Sequence, residues 1–360
     1  MQMPKIDQPK ERLESVELVP FRAASKHGAD AIMTAHLSVP AFEPQNIPAT
    51  VSKNILTNLL RDDMGFNGLV VTDAMDMQGI TSLFGPGEAA VRAVEAGADV
   101  ILMPPDPEAS IKGLVSAVQH GRLSERRITE SAGRVLAAKQ KTGLFRSRLV
   151  NLDAIADRIE DPKLDALAQR VANEAFTLVK DDKQMFPVSD PAAACLVVLT
   201  EGRFSSRGRT LINEVTRRNP ALKTFVANPA MPETELAAIG AALNPCKQVY
   251  AAAFITVVEY RGSVALEGGL SGFMGSLTKA GPPVALISLG SPYLVRSFPD
   301  VAAYAATFSS TRTAEIAAAR AMFGDIPIGG RLPVSIPGLA KPGDGIQVPL
   351  KPVGASQVTK

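Results

Sequence analysis

The chain has 360 residues and a formal net charge of +2; 46% of its residues are hydrophobic and 21% are charged. This composition is typical of a globular protein with enough apolar material for more than one core. Because no basic tract accompanies the small net charge, neither nucleic acid nor an anionic membrane is expected as a partner. No segment reaches the length of a transmembrane helix.

The cysteines and the N-terminus bear on thiol state and compartment. Cys195 and Cys246 both lie beside apolar runs and are expected to be buried free thiols, because small reduced cysteines pack like other apolar side chains. No Cys/His cluster suggests a metal site. Residues 1–20 contain no apolar core of signal-peptide length, so a cytoplasmic chain is expected unless a preceding segment carries an export signal.

Residues 15–144 are predicted to alternate helices with short buried strands. The helices start near proline or serine and end at glycines such as Gly28 and Gly65. The predicted helices cover residues 19–28, 51–65, 87–97, 107–120 and 124–142, and the predicted strands cover 31–36, 68–73 and 98–104. These strands are apolar with little alternation, which is typical of parallel strands covered on both faces.

Polar residues follow these strands where each one ends. His36 ends the first strand, Asp73 ends the second, and Asp106 follows the third after two prolines. In parallel α/β folds the carboxyl ends of the strands carry the chemistry. Asp73, in the stretch GLVVTDAMDM, is therefore the main candidate for a catalytic carboxylate. Asp99 opens a strand at the opposite end and is expected to be structural.

A second alternating region follows a linker. Residues 146–180 are predicted to contain this linker and a connecting helix over 165–179. Beyond them, strands are predicted near 194–200, 222–227, 248–257, 283–289 and 302–308, separated by helices around 207–218, 232–243, 269–279 and 312–323. The pattern predicts a doubly wound sheet with helices on both faces. The predicted domains are 1–145, 146–180 and 181–340, with an extended tail over 341–360.

The sequence resembles a known family over about residues 10–338. The stretch HGADAIMTAHLSVPAFEPQNIPATVSKNILTNLLRDDMGFNGLVVTDAMDMQGI is similar to the second half of the catalytic barrel of family 3 glycoside hydrolases, in the β-N-acetylglucosaminidase branch. The stretches PVALISLGSPY and FSSTRTAEIAAARAMFGDIPIGGRLPVSIPG resemble the C-terminal domain of that family. The expected fold is α/β: a partial, C-terminal half of a TIM-type β/α barrel followed by an α/β/α sandwich domain.

The resemblance implies an activity and a site. Asp73 matches the nucleophile of a retaining hydrolase that removes terminal β-linked N-acetylglucosamine from oligosaccharides or peptidoglycan fragments, with no metal or organic cofactor. Ala74 and Met75 follow it, whereas the β-glucosidase branch usually has tryptophan there, which favours the N-acetylglucosaminidase branch. His36, Met75 and Asp106 are expected to contact the carbohydrate substrate.

One part of the family pattern is absent from this sequence. The acid/base histidine of the family lies in a KHFPGHGD-type motif upstream of the matched stretch, and no such motif occurs here. Since a lone carboxylate cannot also protonate the leaving group, we expect this chain alone to have little hydrolase activity. A half barrel also exposes an unpaired edge, so a homodimer or a second chain that completes the barrel is expected.

Two other interpretations of the function stay open. The chain could be a non-catalytic half-barrel module for sugar binding or assembly. It could also be a β-glucosidase in which Glu259, from the second domain, supplies the acid. The remaining histidines, His27 and His120, both precede glycine at predicted helix ends and are expected to cap those helices.

Overall fold

The computed structural model describes residues 3–159, 161–255 and 265–350. The chain divides into two compact units, Met1–Asn151 and Leu152–Lys360. In the described part of the chain, no helix is both long enough and apolar enough to cross a membrane.

Five helices make up most of the first unit. They are α1 (Val19–Lys26), α2 (Asn54–Asp63), α3 (Pro86–Ala96), α4 (Pro107–Gln119) and α5 (Glu125–Lys141), and short helical turns cover Lys10–Arg12, Leu13–Glu17, Ala49–Val51 and Gln78–Thr81. Capping side chains fix where two of them begin: Asp106 accepts a hydrogen bond from Ala109 N at the start of α4, and Ser124 accepts one from Arg127 N at the start of α5. The helix α2 has π-helical hydrogen bonding instead of the α-helical pattern expected from its periodicity.

The strands of the first unit are shorter than predicted. β1 (Ala31–Met33) and β2 (Leu69–Val71) pair in parallel, with Ile32 opposite Val70. The predicted third strand, 98–104, is reduced to a single parallel bridge between Val71 and Val100. Its ladder is interrupted because the N–H of Leu102 donates to the side-chain oxygen of Thr72, at 2.9 Å, and not to a backbone carbonyl.

A small core supports β2. Val70, at the centre of the strand, is fully buried, and Leu56, Phe66 and Ile80 surround it in one cluster. The helix α3 contributes a face of alanines to the same cluster and ends at Gly97, whose φ of +130° is a conformation that residues with a Cβ rarely adopt. The packing therefore fixes the position at which β2 delivers Asp73.

The second unit contains a six-stranded sheet. Its strands are β3 (Thr177–Asp181), β4 (Ala194–Leu199), β5 (Lys223–Ala227), β6 (Gln248–Ile255), β7 (Val284–Gly290) and β8 (Ala303–Ala306). The order is β3-β8-β7-β6-β4-β5, parallel except for β3. Its main helices are α6 (Pro162–Ala175), α7 (Arg209–Arg218), α8 (Glu233–Leu243), α9 (Leu270–Ala280) and α10 (Arg312–Phe323). Two apolar clusters, one on each face of the sheet, confirm the predicted layered α/β architecture.

One predicted helix of this unit needs correction, and part of the predicted tail has defined partners. The helix predicted over 165–179 ends at Ala175, and the next residues form β3, because β-branched Thr177 and Val179 favour a strand that pairs with β8. Part of the predicted surface tail is tied to the sheet, since Ile346 bonds to Leu178 and Val348 bonds to Ile328.

The prediction for the cysteines is half right. Cys195 and Cys246 are both buried, as expected, but they form a disulfide and are not free thiols. Cys195 lies in β4 and Cys246 comes two residues before the neighbouring strand β6, which brings their Cα atoms to 6.0 Å, within the usual range for a disulfide.

Candidate active site

Asp73 lies two residues beyond the carboxyl end of β2 and is half-buried. Its backbone N–H donates to Thr34 Oγ1 at 3.3 Å, and its Oδ1 accepts a hydrogen bond from the N–H of Ala74 at 2.8 Å. Among the described residues no side chain bonds to this carboxylate, and Oδ2 has no hydrogen-bond partner. Asp73 therefore presents one oriented oxygen and one open oxygen, which is the arrangement that a nucleophilic carboxylate needs.

The segment around Asp73 is also held from the side of residues 100–102. Thr72 is fully buried, its N–H donates to Val100 O at 3.0 Å, and its Oγ1 accepts from Leu102 N at 2.9 Å. Met75 N donates to Leu102 O at 2.9 Å. Asp73 is thus flanked by two residues with fixed backbones, so that its side chain projects from a rigid support.

His36 is placed beneath this segment and not in an open site. Its side chain is 4% exposed; Nδ1 lies 2.9 Å from Thr50 Oγ1 and Nε2 lies 2.9 Å from the carbonyl oxygen of Ala74. The sequence predicts a substrate contact for His36, but both ring nitrogens are occupied by protein groups. The structure brings His36 together with Asp73 through the backbone of Ala74.

The other two predicted substrate contacts have structural partners. Met75 is 2% exposed and packs in the cluster that surrounds Val70. Asp106 is exposed, but its Oδ1 accepts from Ala109 N at 2.9 Å and caps α4. A carboxylate after the strand was expected to face sugar; the helix that begins one residue later uses it as an N-cap.

A cavity of about 300 Å³ lies near the loops that follow β2 and the Val100 segment. Its lining includes Met75, Phe84, Pro86, Ile101, Pro104 and Ser110. Asp73 is not among the residues that line this cavity.

A buried ion-pair cluster lies at the opposite end of the same segment. The Asp99 side chain is fully buried and contacts three guanidinium groups, with the nearest nitrogens of Arg61, Arg134 and Arg127 at 2.5, 3.0 and 3.4 Å. Burial acts to raise the pKa of Asp99, but hydrogen bonds from Ser131 and Val70 N, together with the arginine charges, outweigh it and lower the pKa. The expected structural role of Asp99 is confirmed.

The remaining histidines cap helices as predicted. Nδ1 of His27 lies 2.8 Å from Ala23 O, and Nδ1 of His120 lies 2.8 Å from Ser116 O. Glu259, the alternative acid, lies outside the described residues. Within the described ranges, no group of three or more His, Cys, Asp or Glu side chains could hold a metal ion.

Reasoning from the sequence missed the threonines of this site. Thr34 and Thr50 link the backbone of Asp73 to His36, and Thr72 anchors the neighbouring segment. A signal existed for Thr34 and Thr72, since each follows the apolar run of a strand directly, where a buried hydroxyl needs a partner.

Comparison with known proteins shows which family the chain resembles. Residues 1–138 match the profile described as "Glycosyl hydrolase family 3 N terminal domain". The chain is 31% identical over 180 residues to a "Beta-N-acetylglucosaminidase/beta-glucosidase" of Cellulomonas fimi, covering 48% of this chain and 32% of that protein. It is 31% identical over 219 residues to "Beta-hexosaminidase A" of Pseudoalteromonas piscicida, covering 55% and 36% of the two chains.

A solved structure supports the same relationship. The glycoside hydrolase family 3 beta-N-acetylglucosaminidase from Paenibacillus sp. str. FPU-7 superimposes with a TM-score of 0.81 at 31% identity, covering 93% of this chain and 64% of that one. This likeness confirms the predicted fold class, part of a TIM-type barrel followed by an α/β sandwich. The chain spans about a third of the length of these two curated relatives. On these comparisons the chain is similar to proteins of glycoside hydrolase family 3, and residues 1–138 match the N-terminal domain of that family.

Proposed function

We propose that this chain carries the nucleophile of a retaining β-N-acetylhexosaminidase, and that Asp73 is this nucleophile. The substrate class is terminal β-linked N-acetylglucosamine on oligosaccharides or peptidoglycan fragments. The names of the relatives from Cellulomonas fimi and Pseudoalteromonas piscicida support this class. The observation that carries the proposal is the open Oδ2 of Asp73 at the carboxyl end of a parallel strand.

The geometry suits a double displacement. With Oδ1 held by the N–H of Ala74, Oδ2 attacks the anomeric carbon, the bond to the leaving oxygen breaks, and a glycosyl ester of Asp73 forms. Water then attacks the same carbon and releases the carboxylate. Two inversions give net retention, and an ionised carboxylate is needed at the first step.

The departing oxygen needs a proton that Asp73 cannot supply. The hydrogen bonds among the described residues place no proton donor at its carboxylate, because the ring of His36 is directed to Thr50 and Ala74. We therefore expect the rate of this polypeptide to depend steeply on the acidity of the leaving group. Natural alkyl-type leaving groups should be cleaved little by this chain alone, whereas leaving groups that depart without protonation should react.

Comparing leaving groups on one pair of variants tests both parts of this proposal. The substrates are 2,4-dinitrophenyl and methyl β-N-acetylglucosaminides, and the variants are Asp73→Asn and the control Asp76→Asn, which changes an exposed carboxylate on the same turn. We expect the wild type and Asp76→Asn to release dinitrophenolate. Asp73→Asn should release it at least about a thousandfold more slowly. All of these chains should cleave the methyl glycoside little. Equal rates for Asp73→Asn and the wild type contradict the proposal.

A β-glucoside is the second candidate substrate, since the relative from Cellulomonas fimi is named for both activities. Paired assays with dinitrophenyl glucoside and N-acetylglucosaminide decide between them. We expect the larger kcat/KM with the N-acetylated sugar; the reverse ranking would make the glucoside the substrate.

A further inference from the structure

We propose that His36 is a positioning residue for the Asp73 nucleophile: its ring holds the carbonyl of Ala74 directly, and the hydroxyls of Thr50 and Thr34 connect it to the N–H of Asp73. This inference rests on the proposed function and adds a residue to it. Three side chains from two stretches of sequence take part: Thr34 and His36 from one, and Thr50 from the other. Together with the backbone of residues 73 and 74 they form what we call the threonine–histidine clamp.

The contacts of the clamp form one continuous path. Asp73 N lies 3.3 Å from Thr34 Oγ1, which lies 2.8 Å from Thr50 Oγ1. Thr50 Oγ1 lies 2.9 Å from Nδ1 of His36, and Nε2 of His36 lies 2.9 Å from Ala74 O. The path starts at the N–H of the nucleophile residue and ends at the carbonyl of the next residue, so that the dipeptide is fixed at both ends.

Counting protons assigns a direction to every bond in the clamp. The Ala74 carbonyl can only accept, so Nε2 of His36 carries a hydrogen; in the neutral ring Nδ1 then accepts from the Thr50 hydroxyl. Having donated its hydrogen, Thr50 accepts from Thr34, and Thr34 accepts from the N–H of Asp73. Each hydroxyl donates once and accepts once, so every member is satisfied when His36 is the Nε2–H tautomer.

The surroundings leave His36 little freedom. A Cβ on Gly79 would come within 2.9 Å of Cβ of His36, so the short helix after the nucleophile packs directly on this residue. Thr50 is fully buried in the turn Ala49–Val51. The buried carboxylate of Glu43, which accepts from Ser52 Oγ at 2.7 Å, holds the end of that turn.

Holding the dipeptide affects the carboxylate through the peptide N–H of Ala74. This N–H donates to Oδ1 of Asp73, and it belongs to the peptide whose flanking N–H and C=O the clamp fixes. If the peptide turns, Oδ1 turns with it, and Oδ2 loses its line to the anomeric carbon. A misplacement of about 1 Å costs on the order of a hundredfold in rate.

His36 does not contact the substrate in this arrangement. Only 4% of its surface is exposed and both ring nitrogens are occupied. Loss of the clamp should therefore slow the glycosylation step and leave sugar binding nearly unchanged. A residue with a merely structural role would not separate these two quantities.

The experiment measures trapping of the nucleophile. A 5-fluoro-N-acetylglucosaminyl fluoride loses fluoride without protonation, and intact-protein mass spectrometry follows the covalent adduct over time at several concentrations. The variants are His36→Leu, His36→Gln, whose side-chain amide can donate to Ala74 O, and Thr50→Val. The control is Thr57→Val, which removes a part-buried hydroxyl bonded to Ala96 O at 2.7 Å in the same unit.

We expect His36→Leu and Thr50→Val to lower the limiting trapping rate tenfold to a hundredfold, on the order given by such misplacements, with an apparent dissociation constant changed by less than about twofold. His36→Gln should recover part of the rate, and Thr57→Val should match the wild type. If His36→Leu does not fold, Thr50→Val decides alone. Trapping by Thr50→Val at the wild-type rate, or a change in binding only, overturns the proposal.

A second readout is independent of activity. Long-range ¹H–¹⁵N spectra should show the Nε2–H tautomer for His36, assigned by its disappearance in His36→Gln, and Thr50→Val should shift its Nδ1 signal while Thr57→Val does not. A protonated Nδ1 in the neutral ring overturns the clamp even where trapping occurs. If the wild type shows this tautomer and no trapping, the proposed function fails and the role of His36 in it fails too.

Discussion

Two aspartates on neighbouring segments of the first unit show how position decides the work of a carboxylate. Asp73 follows the carboxyl end of β2, keeps Oδ2 without a partner among the described residues, and is half-buried. Asp99 precedes the bridge at Val100, is fully buried, and contacts three arginines. The position of Asp73 suits a catalytic role and that of Asp99 suits a stabilising one. In a parallel barrel the carboxyl ends of the strands carry the active site, whereas the amino ends serve stability.

Substitution Asp99→Asn should destabilise the first unit strongly. Removing the charge leaves three arginines near each other without their common anion, and breaking a buried pair in this way costs about 3–5 kcal/mol in the free energy of unfolding. Urea unfolding at neutral pH measures this cost. The control Asp76→Asn should change the free energy of unfolding by less than about 0.5 kcal/mol. If Asp99→Asn also costs less than about 0.5 kcal/mol, the structural role assigned to Asp99 is wrong.

The stability difference between the wild type and Asp99→Asn should depend on pH, with a sign that follows from the lowered pKa of Asp99. Because the pKa of folded Asp99 lies below the ordinary value of about 3.9, its ionised form contributes stability above about pH 4, and that contribution is lost as the pH falls through the folded pKa. The difference in unfolding free energy between wild type and Asp99→Asn should therefore shrink below pH 4. A difference that stays constant down to pH 2 would show that the Asp99 charge contributes nothing.

At the scale of single residues, the sequence reveals strand ends better than side-chain partners. Asp73 is predictable because it ends the apolar strand predicted over residues 68–73. The clamp is not, since Thr50 and Ala74 are 14 and 38 residues from His36 and meet it only after folding. Asp106 shows the reverse problem: a polar residue after a strand also begins a helix, and the cap uses its carboxylate.

At the scale of elements, most strands and helices follow from apolar periodicity, and the exceptions have local causes. The strand β3 was expected to continue the preceding helix, because the run ANEAFTLV is apolar in either conformation. Its antiparallel pairing with β8 is a long-range contact that no local pattern reports. The predicted strand 98–104 is reduced to one bridge because the Thr72 hydroxyl accepts the hydrogen bond of Leu102 N.

The disulfide gives an element-scale prediction for the second unit. It closes a loop across 51 residues of sequence, which in the chain-entropy account contributes about 4 kcal/mol to the free energy of unfolding. The double variant Cys195→Ser, Cys246→Ser should lower the unfolding midpoint of the second unit, and the first unit should keep its midpoint. Thiol titration of the unreduced, denatured protein should find no free thiol; two titratable thiols would contradict the bond.

At the scale of the whole molecule, the first unit leaves the outer edge of β1 open. Among the described residues β1 pairs only with β2. Ala31 and Met33, whose side chains share one face of the strand, are exposed, Met33 to 53%. Open strand edges tend to pair with other chains, so we expect a second copy of this chain to cover the open edge of β1.

Association through β1 should be sensitive to charge at Met33. In sedimentation velocity over a range of concentrations, the wild type should shift toward a dimer as concentration rises, and Met33→Lys should remain a monomer. The control Ile111→Lys places the same charge on a residue of α4 that is 62% exposed. A wild-type chain that stays monomeric at every concentration, with a cooperative melt, would show that the edge of β1 needs no cover.

The central claim is that Asp73 becomes covalently bonded to the sugar. After incubation with the 5-fluoro-N-acetylglucosaminyl fluoride, proteolysis and tandem mass spectrometry should place the single added sugar on Asp73, within GLVVTDAMDM. The label should be absent from Asp73→Asn and present in Asp76→Asn. A sugar attached to any other residue, or an Asp73→Asn chain that labels like the wild type, would contradict the account.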